Sequence, residues 1–352
     1  MDDSFGVGVV SGEAHDEPDE HDGVTRRGFL AGAAGVTGAA VASGLWRGSA
    51  ATAAERAANR ATGDTRLSRT TGYRVLVLDR QLMGFLKSVD GGDPVGEVVL
   101  EDPDVSGVVR KHIGKVSYDP IVMRFGLSMA KPVYDWISAV LVRKAPVHSG
   151  SILACDSERN IKSALDFSNA LITEIRFPVL DAASTAPAYI TLTLAPQSTK
   201  MRRATGVVNL DPTKQRAWLA QNFHVTLGTL PTNRVSKVEA ITIEQPGVGG
   251  RATGVLQVSN VSLLFSQVDG LDWYSWFNDF VILGNDGQEF ERNGRIAFLS
   301  SDLAKELASI DLVQLGIFSL ALDKPQPNAD TVQRLRAEMY CEEMRFKGPG
   351  AV

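Results

Sequence analysis

One stretch of this chain occurs twice, and that constrains its fold more than any other feature. Residues Ile121 to Phe125 alternate in the manner of a strand, Gly126 to Lys131 interrupts, and Pro132 to Ile137 opens an amphipathic helix. About 140 residues later Val261 to Phe277 follows the same plan without a gap. Ile121 falls on Val261, Met123 on Leu263 and Phe125 on Phe265, while Tyr134 falls on Tyr274, Trp136 on Trp276 and Ile137 on Phe277. A displacement this long marks duplicated domains rather than a short solenoid repeat. The expected chain is one β-rich unit used twice.

Length and charge agree with that plan. The chain has 352 residues, of which 44% are hydrophobic and 22% charged, enough for two domains of common size behind a leader. The net charge of -5 sits in residues 1–53, which carry eight acidic and three basic side chains, leaving 33 of each in the remainder. A neutral body gives no electrostatic argument for nucleic acid or an anionic membrane. Two cysteines, Cys155 and Cys341, make neither a disulfide scaffold nor a CxxC metal site. They lie at non-equivalent places in the two repeats and read as unpaired, partly buried thiols.

Residues 1–53 read as a signal region. An acidic opening is followed by Arg26 and Arg27, the Phe29-Leu30 pair, an Ala- and Gly-rich apolar run to Leu45, and a small-x-small site at Ala51 to Ala53. This resembles a twin-arginine translocation signal, although the pattern often has Lys where Ala31 stands. The resemblance implies export of a folded protein, with the translocon as a partner and the membrane met only in transit. An uncleaved basic-apolar helix, leaving the protein in the cytoplasm, is the alternative. Residues 54–71 read as a linker.

The first domain is expected over 72–205. Strands are predicted at Tyr73–Leu78, Phe85–Val89, within Val108–Tyr118, at Ile121–Phe125, Ser151–Cys155, Leu171–Phe177 and Ala188–Leu194. Val133, Trp136, Ile137, Val140 and Leu141 make one helix face. The order Val108 to Tyr118, then Met123, Arg124 and Gly126, then Tyr134 to Ile137, is similar to the middle of tail-tube proteins of contractile phages and related injection systems. Phe177 to Ser184 followed by Ile190 to Leu194 is similar to the end of the same domain. The resemblance implies a β-sandwich or barrel with one flanking helix, in subunits that form six-fold rings stacked into a hollow tube. The fold class expected is therefore mainly β with flanking helices, in two tandem tail-tube-like domains with one α-helix each.

A linker over 206–221 and a second domain over 222–348 complete the chain. Phe223–Gly228 echoes the opening strand, Val235–Val238 echoes Phe85–Ser88, and Leu312–Leu320 falls at the displacement of 140 from Ile172–Leu180. Gln245–Gly254 reads as a mobile glycine-rich loop. Asn285-Asp286-Gly287, between apolar runs, reads as a hairpin turn rather than a calcium loop. Val332–Phe346 reads as a final strand with Leu335, Ala337 and Met339 on one side. The candidate core aromatics are Phe125, Tyr134, Trp136, Phe265, Tyr274 and Trp276.

No nucleophile, metal or phosphate-loop motif is present. His112, His148 and His224 have no second ligand at metal spacing, and Asp102 and Asp104 flank Pro103 in what reads as a solvated turn. The expectation is a structural assembly protein, with no enzymatic activity and no cofactor. Its partners are copies of itself, three chains giving a pseudo-six-fold ring, and ring stacking. An exported enzyme or binding module on a β scaffold is the alternative.

Overall fold

The structure, a computed structural model, describes residues 72–103, 105–210, 218–323 and 333–350. The signal residues Arg26, Arg27, Phe29, Leu30, Ala51 and Ala53 lie outside them, as does Asp104. The protein is mainly β with flanking helices.

The first half opens with β1 (Arg74–Leu78) and β2 (Gln81–Leu86). Asp79 and Arg80 join them, both with positive φ, which is the two-residue connection whose twist matches that of paired strands. Next come β3 (Ser88–Gly91), β4 (Pro94–Leu100), β5 (Lys111–Tyr118) and β6 (Ile121–Phe125). Helix α1 (Lys131–Leu141) starts with Pro132 in its first turn, where a missing N–H costs no hydrogen bond. Then follow β7 (Val147–Cys155), β8 (Ile161–Phe177), β9 (Leu180–Asp181), β10 (Ile190–Ala195) and β11 (Ser198–Arg203). The second half has β12 (Phe223–Leu227), β13 (Val235–Val238), β14 (Ile241–Glu244), β15 (Gly247–Val248), β16 (Arg251–Ala252), β17 (Gln257–Val258) and β18 (Val261–Ser266). Helix α2 (Gly270–Phe277) leads to β19 (Arg292–Leu299), β20 (Glu306–Leu322) and β21 (Arg334–Lys347).

The first sheet runs β2-β1-β7-β8-β10-β6-β3 and the second β12-β19-β20-β21-β18-β13-β9. From β1 and β12 onward the two paths take the same course as far as β3 and β13. The pairings correspond residue by residue: Ile190 faces Phe125 where Leu335 faces Phe265, and Ile175 faces Leu192 where Leu320 faces Ala337. Even the register shift recurs, between Thr193 and Leu194 in one sheet and between Ile317 and Ser319 in the other.

Alternation places the core. Ile121, Met123 and Phe125 of β6, and Val261, Leu263 and Phe265 of β18, are fully buried on one face of their strands. Ile190, Leu192 and Leu194 meet the first set; Leu335, Ala337 and Met339 meet the second. These residues and the buried faces of both helices belong to one continuous apolar cluster. Val75, Phe85, Leu153, Cys155, Ala164 and Val208 form a smaller one.

Several sequence expectations need correction. The displacement is 140 residues from Phe125 to Phe265 but 145 from Ile175 to Leu320, so Leu312–Leu320 is not the counterpart of Ile172–Leu180. The difference arises between helix and sheet. Asn278–Ile282 continues α2 as a π-helical turn, so the apolar run before Asn285-Asp286-Gly287 is helical and no strand hairpin forms there. Gln245–Gly254 is a short hairpin, β15 with β16, pinned by the Gln245 amide on the Thr173 carbonyl (2.8 Å) and the Gly250 amide on that of Ala195 (3.1 Å). Val235–Val238 pairs as Ser88–Gly91 does, not as Phe85–Ser88. Leu171–Phe177 is only the end of the long strand β8.

Candidate assembly interface

The two sheets meet through strands given by each half to the other. β14 adds antiparallel to the end of β8, with Ile241 opposite Phe177, Thr242 opposite Arg176, Ile243 opposite Ile175 and Glu244 opposite Glu174. This edge is available because β7 stops pairing with β8 at Leu171. In return β9 adds to β13, with Lys237 opposite Asp181 and Val238 opposite Leu180, and the Ala182 amide donates to the Ser236 carbonyl (2.9 Å). Backbone groups at an open strand edge need partners, and this exchange satisfies them.

Side chains fill the joint. Phe177 lies between Phe346 (5.3 Å between ring centroids) and Phe298 (6.2 Å), and Trp218 packs on Phe298 at 4.5 Å. Tyr134 of α1 reaches Phe346 at 6.1 Å, and the Ser138 hydroxyl is shared between the Tyr134 carbonyl (2.8 Å) and the Phe346 carbonyl (2.9 Å). The Met129 amide donates to the Tyr134 hydroxyl (2.9 Å), which fixes the ring; burial pushes the phenol above its usual titration range. Gly348 is needed by close approach, since a Cβ there would sit 2.5 Å from that of Tyr134. Beside β13, burial alone would raise the Glu239 carboxyl. Lys237 (2.8 Å) and Arg336 (3.3 Å) outweigh it and hold the group below the usual carboxylate range.

Of the six expected core aromatics, Phe125, Trp136, Phe265 and Trp276 are buried within their own halves and Tyr134 is 2% exposed under the joint. Tyr274 is the correction: it is 42% exposed. In the first half β21, from the other half, lies against the helix, whereas α2 packs on β20 of its own sheet. Trp273 is fully buried, stacked on Phe265 at 4.4 Å with its Nε1 donating to the Pro231 carbonyl (3.1 Å). Trp218, on the expected linker, is the residue sequence reasoning missed; a lone tryptophan in a polar stretch was the available signal.

His112 lies 3.3 Å from Glu101, and His148 lies 3.0 Å from Asp79 with its ring edge-on to Trp136. Cys155 and Cys341 are free and buried; burial raises both thiols, Cys341 to about 11. Among the described residues no cluster of three or more His, Cys, Asp or Glu side chains fits a metal ion. An open concavity on the first sheet is lined by Arg124, Glu174, Arg176 and Tyr189, with the Arg124 guanidinium 5.5 Å above the Tyr189 ring. No described helix is long and apolar enough to cross a membrane.

No protein-family model and no curated protein sequence matches the chain. Among solved structures it is similar to a chain of the sheath–tube complex of an extracellular contractile injection system in its extended state. That chain is 21% identical, and the match covers 37% of this chain and 88% of the other with a TM-score of 0.33. A chain of the tube-terminating cap of the anti-feeding prophage matches at 20% identity, over 37% and 88% of the two chains, also with a TM-score of 0.33. A chain from a sheath and tube terminator of an extracellular contractile injection system matches at 20% identity, over 38% and 94%, with the same TM-score.

Proposed function

We propose that this chain is a structural subunit, two copies of one tail-tube-like unit in tandem, and that three chains close into a pseudo-six-fold ring able to stack. The observation that carries this is the joint inside the chain. A unit that receives its neighbour's strand at the end of β8, and gives β9 in return, is joined head to tail. Repeating that step by a fixed rotation generates a closed ring or an open helix. The edges that make the joint are backbone edges, so the role needs no catalytic group and no cofactor. The four described tryptophans are buried, so none of them offers a platform on a sheet face for a binding module.

The leader adds a second part to the reading: export through the twin-arginine route, with assembly outside the cytoplasm. Cell fractionation of Arg26→Lys, Arg27→Lys tests it. Retention of the double variant inside the cell is expected, and unchanged export contradicts the route. For the ring, negative-stain images of purified protein are expected to show six-lobed particles. Single compact particles at high concentration remove the claim.

A further inference from the structure

Among the described residues, each half also carries the counterpart of a surface that the internal joint covers in the other half. β20 stops pairing with β19 at Leu315, so among the described residues no strand pairs with its edge from Gly316 to Leu322 on the side where β8 takes β14. Residue correspondence across the sheets puts Leu322 in the place of Phe177 and Leu320 in that of Ile175. Phe177 is 2% exposed and Leu322 54%. At the opposite end, β4 follows β3 as β14 follows β13. β14 bonds β17 on one edge and β8 on the other; β4 bonds only β5, in a two-stranded sheet whose Val95, Val98 and Leu100 are exposed.

The helix repeats the pattern. Tyr134 is covered by Phe346, and the same correspondence puts Met201 of β11 where Phe346 stands in β21. Ser198 faces Ser168 as Glu343 faces Val313, and the ion pair Arg202–Asp166 (2.6 Å) recurs as Lys347–Asp311 (2.9 Å). Phe346 is 4% exposed and Met201 64%. One chain thus exposes a tyrosine on α2 at one end and, at the other, the thioether that occupies the covering position. Around them the charges are complementary: Asp272 on α2, and Lys200 and Arg203 on β11.

We infer that the occupant of both surfaces is a second copy of this chain: the β20 edge Ser319–Leu322 takes β4 of the next copy, and Tyr274 seats on its Met201. This rests on the ring reading above. It specifies the pairing that closes the ring and the place where a sulfur–aromatic contact replaces the ring–ring contact of the internal joint. Single exposed apolar residues mean little, but Tyr274, Met201 and Leu322 are the counterparts of Tyr134, Phe346 and Phe177, all buried at the internal joint.

Cross-linking tests it on the full chain. Tyr274→Cys and Met201→Cys are combined, the protein is assembled, and a short bismaleimide is added, with wild type as control because Cys155 and Cys341 are buried. The expected product is a covalent ladder of two and three chains, absent from wild type. Tyr274→Phe should assemble as wild type does, while Tyr274→Lys, placed against basic β11, should need roughly tenfold more protein to assemble. Oligomers without cross-linking, together with Tyr274→Lys assembling normally, overturn this pairing and leave the ring reading standing. Single chains at every concentration overturn both.

Discussion

Tyr134 and Tyr274 hold the same place on the same helix over sheets wired in the same order, yet one is sealed and the other open to solvent. The local sequences do not account for this, because both helices carry an apolar face at the same spacing. The difference lies in the neighbour that each helix has. α1 lies against β21 of the other half, and α2 packs on β20 of its own sheet. Met201 and Phe346, at corresponding positions of the two halves, differ in the same way: one is exposed and the other buried.

The largest predicted effect compares twins directly. Phe346→Ala should lower unfolding free energy by about 3–5 kcal/mol, because it empties the space between Phe177 and Tyr134. Met201→Ala, at the corresponding position, should change the stability of the single chain by about 0.5 kcal/mol or less. Denaturant titration below the assembly concentration measures both, and equal losses would break the comparison. Next, Gly348→Ala should cost about 1–3 kcal/mol by forcing Tyr134 aside, whereas the corresponding residue of the first half, Arg203, is already a large side chain.

A smaller effect concerns the twin ion pairs. Burial alone would raise the Asp166 carboxyl, but Arg202 and Ser151 outweigh it and hold it low. A depressed carboxyl adds stability above its ordinary titration range, and that stability is lost as pH falls through the folded value. The gap between wild type and Asp166→Asn, under about 1 kcal/mol at pH 7 because both partners are partly exposed, should close as pH falls below about 4. Asp311→Asn should cost more, since Asp311 holds Arg295 (3.0 Å) as well as Lys347. The smallest effect is chemical. At pH 8 neither Cys155 nor Cys341 should react with a thiol reagent until denaturant is added, because burial keeps both protonated.

What the sequence made legible was the part governed by side-chain period. In β6, β10, β18 and the first part of β21 an inward residue falls at every second position, and these residues can be read from the order of residues alone. Trp136 and Ile137 at helical spacing are equally plain. The joint was not legible, because strand addition uses backbone groups, and Ile241 to Glu244 looks like any short strand. The five-residue growth in displacement was hidden because Phe280 to Leu283 is apolar whether it forms a strand or a π turn. Tyr274 was misplaced because helical spacing does not say what lies over a face: Tyr134, at the same spacing, is sealed by Phe346 from the other half of the chain.

The central claim is that the internal joint is repeated between chains, and particle mass tests it most directly. Sedimentation equilibrium of the purified protein across a wide concentration range should give three chains, or whole multiples of three where rings stack. A single-chain mass throughout that range would contradict the account.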